Sequence, residues 1–203
     1  MFLNLVQTNS KPVDFFTVVK KLCLTHAVHR DTACGILAAC TQVESLACWI
    51  DFGTAVELPF LISKLPLRQL SIGAPNLTKI PRAAPAAWLA GLTHVDLISV
   101  AGYTAASISG LARLPHLTHV CLDTYHLGGM EENVARVCAE CPLLQVLVLF
   151  EDWSSESPAF LDHTDDIDSR IVVKQKPWDY VEHWRNSAEM WATVEETVEE
   201  QRA

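Results

Sequence analysis

The chain has 203 residues, of which 50% are hydrophobic and 19% charged, and its mean hydropathy is +0.19. That content is enough to bury one continuous core, and it excludes a disordered chain, whose apolar fraction would be lower and whose charge would be higher. A net charge of -9 and a pI near 5.3, with Lys and Arg scattered singly apart from Lys20 and Lys21, exclude a binder of nucleic acid or of an anionic membrane surface.

In chain order, the opening run MFLNLVQTN lacks the basic leading region and long apolar core of a signal peptide. Nowhere does the chain reach the roughly 18 consecutive apolar residues of a membrane span. A soluble protein of the cytoplasm or nucleus is expected. Seven cysteines, an odd number at irregular spacings and mostly within apolar runs, read as free thiols.

From Val19 onward one phrase recurs: an apolar residue, two others, an apolar residue, one other, an apolar residue. It is Val19, Leu22, Leu24, then Val43, Leu46, Cys48, then Leu67, Leu70, Ile72. It returns as Leu92, Val95, Leu97, as Leu117, Val120, Leu122, and as Leu144, Leu147, Leu149. The middle positions are separated by 24, 24, 25, 25 and 27 residues. Each phrase predicts a short strand with one buried face. Strands linked by a return segment pair in parallel, and the spacing leaves room for that crossover.

The returns read as helices over Asp31 to Cys40, with Asp31 as N-cap, over Val56 to Leu65, over Thr104 to Leu114 and over Met130 to Cys141. Ala74 to Ala87 holds Pro75, Pro81 and Pro85 and reads as an irregular loop. Asp152 to Asp168 is polar and acidic and reads as a solvated linker. Ile171 to Val173 fits a seventh strand. Asp179 to Arg202 reads as one long helix with Val181, Trp184, Ala188, Trp191, Val194 and Val198 as its apolar stripe.

A period of 24 to 27 lies within the range of leucine-rich repeats. The expected fold is therefore α/β: a leucine-rich-repeat solenoid, with a curved parallel sheet, helices and loops on the convex side, and a C-terminal capping helix. Residues 1–150 form the array of about six repeats. Residues 151–203 form the acidic loop, terminal strand and cap of the same structural domain.

The segments DFFTVVKKLCL, ILAACTQVESLACW, LPLRQLSI, LARLPHLTHV and CPLLQVLVL, with the ending DSRIVV and its acidic, tryptophan-bearing helix, resemble the F-box and leucine-rich-repeat-like proteins of mushroom-forming fungi. The likeness spans nearly the whole chain and rests on core positions. Family members often carry, upstream of the repeats, a helical F-box that grips the adaptor of a ubiquitin ligase. This chain opens almost inside a repeat and is expected to lack that module. The resemblance thus implies the substrate-recognition part of such a receptor, without the F-box.

Between the buried positions, the outward residues fall into three columns on the concave face. They are Lys21, Ser45, Gln69, His94, His119, Val146; then Cys23, Ala47, Ser71, Asp96, Cys121, Val148; then Thr25, Trp49, Gly73, Ile98, Asp123, Phe150. Large apolar groups on an open face suggest anchors, so Trp49, Gln69, His94, Asp96, Ile98, His119, Asp123 and Phe150 are the candidate protein-binding residues. The polar loop or the C-terminal segment folding over Trp49, Ile98 and Phe150 is the competing reading. The expected role is a non-catalytic, monomeric protein-binding scaffold. The alternative is a metal-dependent or hydrolytic site at His94, His119, Asp96 and Asp123, side chains that neighbouring strands bring together but hold parallel.

Other candidates fall short. Cys138 and Cys141 form a lone CxxC in a helix, with no second pair for zinc. His26 and His29 near Asp31 fit a loop. DHTDDID lacks the glycine of a calcium loop. Gly128 and Gly129 read as a turn. No phosphate-binding, nucleotide-binding or nucleophile-elbow motif is present, so no cofactor and no catalytic residue is assigned.

Overall fold

The computed structural model describes residues 14–54, 56–82, 86–98, 104–123, 130–151 and 168–203. Seven strands form a single all-parallel sheet: β1 Lys21–Leu24, β2 Ser45–Cys48, β3 Gln69–Gly73, β4 His94–Ile98, β5 His119–Asp123, β6 Val146–Glu151 and β7 Ile171–Gln175. Their spatial order is their chain order, so each strand lies beside the one before it. The fold is thus α/β with a sequentially built parallel sheet.

The register follows the repeat. Leu22, Leu46, Leu70, Val95, Val120, Leu147 and Ile171 stand in one row across the sheet. Leu46, Leu70, Val95, Val120 and Leu147 have no solvent exposure. The rows of outward residues align as the sequence predicts, with Gln69 beside His94, His94 beside His119, Gly73 beside Ile98, and Asp123 beside Phe150.

The return helices are α1 Asp14–Thr17, α2 Arg30–Ala39, α3 Glu57–Ser63, α4 Ala74–Leu77, a 3-10 turn at Ala87–Ala90, α5 Ala105–Leu111 and α6 Met130–Glu140. Ile36, Leu37, Leu58, Ile62, Leu77, Ile108, Val134 and Val137 pack on the leucine rows to form the main core. Two local expectations change. His29, not Asp31, is the N-cap of α2, its ring accepting from the Asp31 amide. The proline-rich return contains α4, because Pro75 sits at the start of the helix, where its missing N–H costs nothing. The Asn76 amide of that helix is bonded back to the backbone of Ile50 and Phe52. The acidic stretch over 152–167 and the Gly128–Gly129 turn lie outside the described residues.

The C-terminal segment differs most from expectation. It is two helices, α7 Tyr180–Arg185 and α8 Ser187–Arg202, broken at Asn186. Asp179 caps α7 by accepting from the Val181 and Glu182 amides. Val181 and Ala188 face solvent, and the buried stripe is Trp184, Ser187, Trp191, Val194 and Val198. These helices do not close the end of the stack; they lie across the face opposite the return helices. Ser187 meets Gln69 on β3, Lys21 of β1 donates to Ser187 Oγ and to the Arg185 carbonyl, and Arg202 at the other end reaches the Gln145 carbonyl. Sixteen residues of helix span about 24 Å, which is the width of about five strand spacings. A second core forms beneath, from Cys121, Val146, Val148, Phe150 and Val172 with Trp191, Val194 and Val198. The cause is the sheet itself: an apolar outward column must be covered.

Candidate functional site

The eight candidate residues separate into three environments. The first is a histidine pair. His94 and His119 stack face to face, with ring centroids 4.1 Å apart and planes within 8°. Trp191 of α8 presents its ring edge-on to both, at 5.2 and 5.3 Å. Each histidine follows a threonine. Thr93 Oγ1 lies 2.8 Å from His94 Nδ1, and Thr118 Oγ1 lies 2.8 Å from His119 Nδ1. The hydroxyl protons go elsewhere, to the Arg68 and Thr93 carbonyls respectively. With the hydroxyl protons on those carbonyls, each hydroxyl accepts from Nδ1–H, and that tautomer leaves the bare lone pair on Nε2.

Glu195 of α8 completes this cluster. Its Oε1 lies 2.9 Å from His119 Nε2. Among the described residues Glu195 is thus the one polar partner of the buried Nε2, as an ion pair whose angle falls short of a well-aligned hydrogen bond. One ligand atom each from His94, His119 and Glu195 lies within 4.8 Å of the others. Burial, and then its histidine neighbour, pushes His94 down to about 4. Burial also lowers His119; Glu195 opposes this, but its side chain is 50% exposed and its charge is screened.

The second environment is a buried polar chain. Trp49 Nε1 donates to Ser71 Oγ at 2.9 Å, and Ser71 Oγ donates to Asp96 Oδ2 at 2.7 Å. Burial raises the Asp96 carboxyl to about 6, against the stabilising Ser71 bond. The Cys121 thiol is also within hydrogen-bonding reach of that carboxyl, and burial raises its own pKa. Asp123 takes different partners: Lys176 Nζ at 2.8 Å and the Tyr180 hydroxyl at 2.9 Å. Burial, then the Asp123 carboxylate, pushes the Tyr180 phenol upward.

The third environment is a pocket beyond the carboxyl ends of β1 to β4. It encloses about 660 Å³ and is lined chiefly by Thr25, Trp49, Ile98, Trp178, Tyr180 and Val181. Trp49 packs edge-on against Tyr180, with centroids 6.0 Å apart. Trp178, on the segment entering α7, is 84% exposed.

The face expected to be open is therefore closed over its C-terminal half. Asp96, His119, Asp123 and Phe150 are buried, and Phe150 lies under His183 of α7. Partner contact by those four needs the two C-terminal helices to move away. Trp49, Gln69, His94 and Ile98 keep partial exposure. The proposed acid–base set is also split: the structure brings the two histidines together but gives them Glu195 as their carboxylate, while Asp96 and Asp123 have partners of their own. Sequence reasoning did not single out Glu195 and Tyr180, which lie in the helix read as a cap or, alternatively, as a partner-binding helix, nor Trp178, which precedes it. Cys138 and Cys141 are free thiols raised to about 11 by burial, and all seven cysteines are unpaired. His29 and Asp31 are an exposed pair 3.6 Å apart. Among the described residues no helix is long and apolar enough to cross a membrane. Neither a protein-family model nor a curated protein matches this sequence.

Proposed function

We propose that the chain is a leucine-rich-repeat solenoid serving as a non-catalytic scaffold for a protein partner, and that it binds at the Trp49–Ile98–Trp178 pocket. The observation that carries this reading is the pocket itself. It has the volume and mainly apolar lining of a ligand site, and it lies beyond the carboxyl ends of parallel strands, where such sheets commonly bind. Two of its walls, Trp49 and Ile98, are outward residues of the repeats, and an exposed indole beside them is a suitable anchor. The chain's charge of -9 favours a partner segment with an apolar anchor flanked by Lys or Arg. The resemblance to F-box-like receptors suggests that such a partner is the target of a ubiquitin ligase.

The test is selection of peptides from a random displayed library on the full chain. Peptides with an apolar residue next to basic ones are expected, and Trp178→Ala should weaken their binding about tenfold or more, as for an exposed anchor. Selected peptides that bind Trp178→Ala and Ile98→Ser as tightly as the parent protein would remove this pocket from consideration. The hydrolytic reading at His94, His119, Asp96 and Asp123 is less well supported, since the two aspartates are bonded to Ser71, Lys176 and Tyr180 and not to the histidines.

A further inference from the structure

We propose that His94, His119 and Glu195 form a binding site for a zinc-class divalent cation that ties α8 to the sheet. The site is distinct from the peptide pocket and does not depend on it. The argument begins with the threonines. Metal-ligating histidines characteristically donate their second ring N–H to a fixed acceptor, which sets the tautomer and the ring orientation. Here the two Thr-His steps of β4 and β5 supply that arrangement twice, in register, through Thr93 and Thr118. Both Nε2 lone pairs are left for a cation.

The second observation is the contact between His119 and Glu195. In the neutral ring, Nε2 carries a lone pair, and a carboxylate oxygen lies 2.9 Å away. Two acceptors at that distance repel unless a proton or a metal cation stands between them. His119 is 4% exposed and its Nε2 has Glu195 as its only polar partner among the described residues, at poor hydrogen-bond alignment, so the nitrogen is incompletely satisfied in a buried place. A proton relieves one contact. A divalent cation relieves it and engages His94 as well.

Geometry and donor chemistry agree. Two imidazoles and a carboxylate suit zinc, and ligands at about 2.0–2.1 Å around a tetrahedral ion sit about 3.3 Å apart. The three donor atoms lie within 4.8 Å, so closure brings them at most about 1.5 Å nearer, with ring rotations of tens of degrees that end the parallel stacking. Three protein ligands leave one position open on the side where Glu195 meets solvent. Ligands drawn from β4, β5 and α8 make the ion a clip between layers, so binding stabilises the fold directly.

The test uses the full chain, stripped with a chelator and titrated with Co²⁺ or Zn²⁺. One equivalent is expected to bind, to raise the melting temperature, and to give a tetrahedral cobalt spectrum without the intense thiolate charge-transfer band. Glu195→Gln and His94→Gln should each weaken binding at least about tenfold. Thr118→Val, which touches no ligand atom, should weaken it by about 10- to 100-fold through loss of the tautomer lock. Glu195 is half exposed, so its variant keeps the fold even if a histidine variant does not. A thiolate band, binding unchanged in Glu195→Gln and His94→Gln, or no stoichiometric binding at all, each overturns the proposal.

Discussion

Val120 stands in the middle of the row that runs from Leu22 to Ile171, and it has no solvent exposure. Its neighbours on both strands are apolar, so a carboxylate placed there would find neither water nor a cation. Val120→Asp should therefore lose several kcal/mol, enough to abolish a cooperative urea transition at 25 °C. A variant that melts like the parent would mean that this row does not face the core. At this scale the sequence was informative where side chains repeat and silent where a residue's role depends on a distant partner. The periodic phrase identified Val95 and Val120 as buried and His94 and His119 as adjacent. Nothing in the heptad-like run of α8 distinguished Glu195 from Glu196 or Glu199, because only the angle at which the helix crosses the sheet selects one of them.

Strand β6 explains why the C-terminal helices lie over the outward face, the competing reading of its aromatics, and not at the end of the stack. Alternation assumes one wet face, and β1, with Lys21 and Cys23 facing outward, is consistent with that. From Val146 to Phe150 every residue is apolar, and all are buried. An unbroken apolar strand signals cover on both faces, as in parallel sheets flanked by helices. That run was the legible sign of α8; its reading as an ordinary repeat concealed it. The break at Asn186 was not legible, since the apolar spacing continues across it at Trp184, Ala188 and Trp191. Trp191 is the residue through which α8 contacts both histidines and the second core. Trp191→Ala should cost about 3–5 kcal/mol in urea unfolding by emptying that space. A loss below about 1 kcal/mol, on the order of an exposed substitution, would show that the helix does not pack there in solution.

The whole molecule carries opposing responses to acid. In the metal-free protein His94 is held down to about 4, and His119 and His183 are lowered too, chiefly by burial. The unfolded chain therefore binds protons that the folded chain refuses. The stability these groups confer is complete above the ordinary histidine value and falls away as pH drops from there toward about 4. Asp96 acts in the other direction. Its carboxyl is raised to about 6, so its contribution is present at low pH and is lost as pH rises from the ordinary carboxylate value to about 6. Three histidines outweigh one aspartate, and urea midpoints with chelator present should fall on acidification across that window. Asp96→Asn removes the opposing response and should make the fall steeper. Midpoints that rise on acidification, or a shallower fall in Asp96→Asn, would contradict this balance.

The bonds from Lys21 to Arg185 and Ser187 join positions 164 and 166 residues apart, in a sheet whose strands otherwise pair only with the next unit. A stack with neighbour contacts alone can nucleate anywhere, fray from either end and unfold in stages. A helix that touches both β1 and the approach to β6 makes the ends interdependent. It also emerges from the ribosome after every strand it covers. During synthesis Val146, Val148, Phe150 and Val172 thus stay uncovered until α8 arrives, which leaves apolar surface open to aggregation in that interval.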